Sequence, residues 1–144
     1  MRIGIMLMSD RGPDGQPWDW RKALERWKGC GLERVDLFDR MLTAVGETVP
    51  GVQRLLNGLG LAPSIYCVPT DLVSPDPAVR RASLDTIRRG IEACGNLGLR
   101  QLFSHGGQHN NQGEEALKRY ADGLGQAADL AAAAGLTLSI ENAG

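Results

Sequence analysis

No segment of this chain strings together the roughly eighteen apolar residues that a membrane-spanning helix needs. The N-terminal run Met1-Arg-Ile-Gly-Ile-Met-Leu-Met8 is too short for a secretory signal, and no small-residue cleavage site follows it. A soluble, cytoplasmic protein is the expectation. Cysteine is scarce: Cys30, Cys67 and Cys94 are odd in number, far apart and without a C-x-x-C spacing. That excludes a disulfide framework or thiolate zinc site as the organising device, and the three read as buried small hydrophobes. Nor does one sign of charge dominate. The 16 basic and 17 acidic residues are scattered, so no face is set aside for nucleic-acid phosphates or an anionic membrane, and neither partner is expected. The first loop, Ser9-Asp-Arg-Gly-Pro-Asp-Gly-Gln16, contains neither a G-x-G-x-x-G nor a G-x-x-x-x-G-K-[ST] phosphate cradle, which argues against a dinucleotide or nucleoside-triphosphate fold.

What is present is globular. At 144 residues, 42% hydrophobic and 23% charged, the chain can bury a sizeable core, and residues 1–144 are read as a single domain. A weak repeat organises it. Gly31-Leu32, Gly60-Leu61, Gly98-Leu99 and Gly135-Leu136 each close a helix-like stretch and open a short apolar run, at intervals of roughly thirty to forty residues, the size of a βα unit. The runs are Arg2 to Met8, Arg34 to Phe38, Pro63 to Val68, Gln101 to Ser104 and Thr137 to Ile140. Their nearly continuous apolar character predicts parallel strands covered on both faces.

Four helices are predicted between them. Pro17 to Lys28 places Trp20, Leu24 and Trp27 on one stripe. Glu47 to Leu59 presents Val52, Leu55, Leu56 and Leu59, with Gly58 and Gly60 ending it. The third opens on the capping pair Asp76-Pro77 and runs to Leu97, with Ala82, Ile87, Ile91 and Ala93 or Cys94 inward. Gly113 to Ala134 turns Leu117, Tyr120, Leu124, Ala128 and Ala131 to the sheet. Right-handed crossovers then allow a doubly wound open sheet or the opening of a (β/α)8 barrel. Polar residues crowd beyond strand C-termini (Ser9 and Asp10, Asp36 and Asp39, Thr70 and Asp71, His105 to Asn111, Glu141 and Asn142). Convergence of polar groups onto one end favours the barrel, here an incomplete one of about five parallel strands and four helices.

Gly31-Leu-Glu-Arg-Val-Asp-Leu37, Asp76-Pro-Ala-Val-Arg-Arg-Ala82, Ala93-Cys-Gly-Asn-Leu-Gly-Leu99 leading into Phe103-Ser-His-Gly-Gly107, and Gly135-Leu-Thr-Leu-Ser-Ile-Glu-Asn142 together resemble the xylose-isomerase-like TIM barrels. These comprise sugar and sugar-phosphate isomerases and epimerases, with endonuclease-IV-type repair enzymes as relatives. The resemblance covers almost the whole chain and matches the N-terminal portion of such a barrel. It implies that Glu141 is a ligand of a divalent metal, Mn²⁺, Mg²⁺ or Co²⁺ with Zn²⁺ as an alternative. That ion would hold neighbouring substrate oxygens and stabilise an enediolate while carboxylates move protons, or polarise a hydride shift. It also implies that His105 contacts substrate in the same mouth, that Asp36 orients neighbours or binds a substrate hydroxyl, and that the substrate is a small carbohydrate. Family members complete the metal site from strands six to eight, which these residues do not contain, so a fragment inactive alone is expected. The repair branch carries a histidine after strand three, where this chain has Pro69-Thr-Asp71. That favours the sugar branch.

Other readings compete at the same residues. His105 and His109 form H-x-x-x-H, but Gly106 and Gly107 disfavour the helix that would join them on zinc. Asp36 pairs with Arg34 or Arg40 in the blander reading. Asn142 is a substrate-binding candidate beside Glu141, and Trp18 one beside the first loop. The Arg80-Arg81 and Arg88-Arg89 pairs read as a solvated helix face. A non-catalytic half-barrel that assembles with itself through exposed strand edges is the alternative function, as is a hydrolase or lyase on the same barrel.

Overall fold

The Gly-Leu repeat is a repeat of one helix-ending device. Gly31, Gly60, Gly98 and Gly135 all have positive φ, between 63° and 92°. The N–H of the following leucine donates back five residues in every case: Leu32 to Trp27, Leu61 to Leu56, Leu99 to Cys94 and Leu136 to Ala131, at 2.9–3.0 Å. This is the six-to-one bond of a Schellman turn, which needs a left-handed residue before it. The leucine that follows is buried in three turns and half-buried in the fourth, so each turn also seals the end of its helix.

A computed structural model describes residues 4–7, 11, 15, 19–105, 107 and 113–141. Chain order is β1 (Gly4–Leu7), α1 (Trp20–Gly29), β2 (Arg34–Phe38), α2 (Asp39–Ala44), α3 (Val49–Leu59), β3 (Ala62–Val68), α4 (Pro77–Leu97), β4 (Gln101–His105), α5 (Glu114–Ala133) and β5 (Thr137–Glu141). The sheet is fully parallel, with spatial order β1-β2-β3-β4-β5. Strand order decides the architecture. A doubly wound sheet reverses direction at a switch point, whereas right-handed crossovers between successive neighbours place every helix on one face. The fold is therefore an α/β fold of the (β/α)8 type, with five strands and five helices among the described residues.

Helices on one face correct the expectation of strands covered on both. In β2, Val35 and Leu37 are fully buried toward the helices while Arg34, Asp36 and Phe38 are half-buried, and β4 alternates likewise. The buried set, with Leu24, Val52, Leu56, Leu72, Ile87, Cys94 and Leu102, forms the core between sheet and helices. The other face is the barrel interior, and it is largely polar.

Four further expectations are corrected. Helix α2, with Met41 and Leu42 buried, is a fifth helix too short to show a period in sequence. On α4, Ala82 is exposed and Ser83 buried, and on α5, Leu117 and Ala128 are exposed while Ala116, Gly123, Ala127 and Ala131 are buried. Small side chains let α5 approach closely, as at Gly123, where an added Cβ would lie 3.1 Å from Leu72 Cβ. Finally Cys30, at the end of α1, is exposed rather than buried, whereas Cys67 and Cys94 are buried free thiols. Only Gly60, not Gly58, ends α3.

Candidate functional site at the strand ends

Parallel pairing sets His105, the last residue of β4, beside Glu141, the last of β5. Their side chains meet, with Nδ1 3.3 Å from Oε2. The imidazole is gripped edge-on by Phe38 at 6.0 Å and Phe103 at 5.7 Å between ring centroids, a favourable aromatic geometry. On its far side Nε2 lies 3.8 Å from Cys67 Sγ. An ionised carboxylate has only lone pairs, so in the tautomer with its proton on Nδ1 a neutral His105 faces Glu141 with an N–H and leaves its Nε2 lone pair toward the Cys67 S–H. Burial, with the carboxylates of Glu141, Asp36 and Asp39 around it, pushes the Cys67 thiol up to about 12. It is a proton donor here and not a thiolate nucleophile.

Sequence reasoning missed Cys67. The pairing explains why: β2 advances two residues, from Val35 to Leu37, while β3 advances three, from Pro63 to Tyr66. The extra residue lets Ser64 and Cys67 share the interior face and turns Tyr66 into the core. There the Tyr66 hydroxyl donates to Asp39 Oδ1 at 2.7 Å. Strict alternation along β3 would have assigned Cys67 to the opposite face.

Asp36 lies on the interior face one pleat before Phe38. It accepts a 2.5 Å hydrogen bond from Ser64 Oγ, which replaces the expected pairing with Arg34 or Arg40. Gln101 donates to Ser139 Oγ at 2.7 Å on the same face. Thr70 is engaged elsewhere, bonded to Ser104 Oγ at 2.8 Å and donating to the His105 carbonyl at 2.9 Å, so it fixes the end of β4 instead of lining the mouth. Trp18, Asn142, His109, Ser9 and Asp10 lie outside the described residues.

The donor left facing the mouth is the Glu141 carboxylate, since both His105 nitrogens face protein partners. A carboxylate oxygen suits Mg²⁺, Mn²⁺ or Zn²⁺. Among the described residues no group of three or more His, Cys, Asp or Glu side chains is placed to hold an ion. Glu141 fits as one ligand of a site whose set is not complete within them.

Successive parallel strands with helices on one face define a fold of the (β/α)8-barrel type, and the candidate site is where side chains from neighbouring strands meet at their C-terminal ends. The chain belongs to the xylose isomerase-like TIM barrel family, which it matches over residues 10–144. It is 33% identical over 146 residues to L-ribulose-5-phosphate 3-epimerase of Shigella flexneri, covering 85% of this chain and 51% of that protein. In fold it is similar to D-psicose 3-epimerase of Clostridium cellulolyticum (TM-score 0.69, 13% identity, 96% of this chain and 51% of that one). A second likeness is to the 3-keto-D-glucoside 4-epimerase of E. coli (TM-score 0.71, 16% identity, 97% and 55%). The chain spans about half the length of the curated relatives it matches. Among the described residues no helix is long and apolar enough to cross a membrane.

Proposed function

We propose that the protein is a divalent-metal-dependent epimerase or isomerase of a sugar or sugar phosphate, and that these residues supply part of its active site. The observation that carries this reading is the meeting of His105 and Glu141 at adjacent strand ends, in a chain whose curated relatives include L-ribulose-5-phosphate 3-epimerases.

Glu141 would hold the ion through one carboxylate oxygen, with further ligands from outside the described residues. When bound, a divalent ion supplies Lewis acidity that offsets negative charge developing on a substrate carbonyl oxygen. The second oxygen of Glu141 would take or return a proton at the neighbouring carbon. His105 keeps that carboxylate oriented through Nδ1. The Phe38 and Phe103 rings exclude water from one side of the mouth, and Asp36, with one oxygen satisfied by Ser64, presents the other to a substrate hydroxyl.

The test is turnover of L-ribulose 5-phosphate and of free ketopentoses and ketohexoses by the full-length protein loaded with Mn²⁺. Glu141→Gln is expected to lower kcat by about a hundredfold or more. Unchanged turnover in that variant would remove Glu141 from the mechanism. The edge-assembled half-barrel reading instead predicts a concentration-dependent oligomer of these residues with no epimerase activity in the full-length protein.

A further inference from the structure

We propose that the cleft between α4 and α5, in the outer helical layer beside the β3–α4 loop, binds a phosphate-type oxyanion. Arg80 of α4 and Arg119 of α5 converge on three consecutive carbonyls of the β3–α4 loop. Arg80 Nη1 donates to Ser74 at 2.6 Å and to Pro75 at 3.0 Å, and Arg119 Nε donates to Val73 at 3.1 Å. Arg80 is thereby half-buried, unlike Arg81, Arg88 and Arg89, which form the exposed face that the sequence predicts.

These bonds fix both guanidiniums but engage only one nitrogen of each. Neither arginine has an ion-pair partner among the described residues. Both line a cavity of about 180 Å³ that Leu72, Gly123, Asp122 and Gln126 also line. Two immobilised forks with free N–H groups are the donors that recognise tetrahedral oxyanions. The Asp122 carboxylate in the same lining is a like charge that weakens anion binding, and Gln126, whose amide donates to the Asp122 carbonyl at 3.3 Å, keeps its second amide hydrogen for the ligand. The ligand is therefore inorganic phosphate or a small phosphate monoester.

The test is an NMR titration of arginine Nε–H signals in ¹⁵N-labelled full-length protein with inorganic phosphate, at constant ionic strength made up with chloride. A saturable shift of the Arg119 signal in the millimolar range is expected. Arg119→Gln should weaken binding by about tenfold or more. Asp122→Asn, at an exposed position that leaves the fold intact, should tighten it several-fold, because a like charge is removed. These opposite signs keep the proposal testable even where Arg119→Gln does not fold. Methyl phosphate titrated in parallel separates the two sources: tighter binding than inorganic phosphate assigns a monoester, and weaker binding assigns the free ion. No saturable shift up to about 20 mM phosphate, or equal affinity in all three proteins, would overturn the site.

Discussion

His105 and Glu141 are register partners on adjacent parallel strands, and Nδ1 of one stands 3.3 Å from Oε2 of the other. The contact places an orienting imidazole behind the proposed ligand. His105→Gln is therefore expected to weaken Mn²⁺ binding to the full-length protein by roughly 10–100-fold, the usual consequence of losing a group that orients a metal ligand. Titration calorimetry measures it, and an unchanged affinity would mean that Glu141 needs no such support.

The three thiols differ in ways that chemistry can read. Burial pushes Cys94 up to about 11, and burial with nearby carboxylates pushes Cys67 up to about 12, whereas Cys30 is exposed. Maleimide labelling of the native protein at pH 8, followed by peptide mapping, should modify Cys30 and spare the other two. Rapid labelling of Cys67 would contradict its placement behind His105.

The same shifts fix a pH dependence. Below the ordinary thiol value of 9.0 both folded and unfolded chains hold these protons, and the thiols add no pH dependence. Above it the unfolded chain releases protons that the folded one retains, so stability falls as pH rises from about 9 toward about 12. Urea midpoints between pH 8 and 11 should decline, and Cys67→Val should make the decline shallower.

Close packing of α4 on the sheet gives a fourth test. A Cβ on Gly90 would lie 2.8 Å from Leu102 Cδ1 and 2.9 Å from the stiff Val68 Cγ1, while one on Gly125 would meet nothing within 4 Å. Gly90→Ala is expected to destabilise by about 1–2 kcal/mol through overpacking. Gly125→Ala, in a helix interior, should stabilise by roughly 0.5–1 kcal/mol. Thermal or urea unfolding of the pair distinguishes them, and a loss at both positions would refute the packing argument.

Asp36 supplies a fifth. If its carboxylate receives a substrate hydroxyl while Ser64 holds it, Asp36→Asn should raise KM more than it lowers kcat, by about tenfold for one charge-assisted hydrogen bond. Steady-state kinetics on the full-length protein decide it, and a fall in kcat alone would move Asp36 into the chemical step.

Much of this fold was legible because its signals are local. A left-handed glycine before a leucine ends a helix through bonds spanning five residues, and Asp76-Pro77 starts one through a side chain that reaches Ala78 N at 2.8 Å. Strand bounds at β2, β4 and β5 follow from runs of apolar residues between such signals. Polar residues at strand ends pointed to His105 and Glu141, but they did not reveal that the two touch.

What the sequence by itself determined is the series of βα units, their approximate limits and the end of the sheet where polar residues gather, because each depends on interactions a few residues long. Tertiary structure alone decided the strand order, the interior face of β3 and the rotation of α5. Those depend on which strands pair, on one extra residue in a ladder and on how closely small side chains let a helix approach, and each requires a partner distant in sequence. Cys67 meets His105 across 38 positions of chain, a relationship that exists only once both strands are in register.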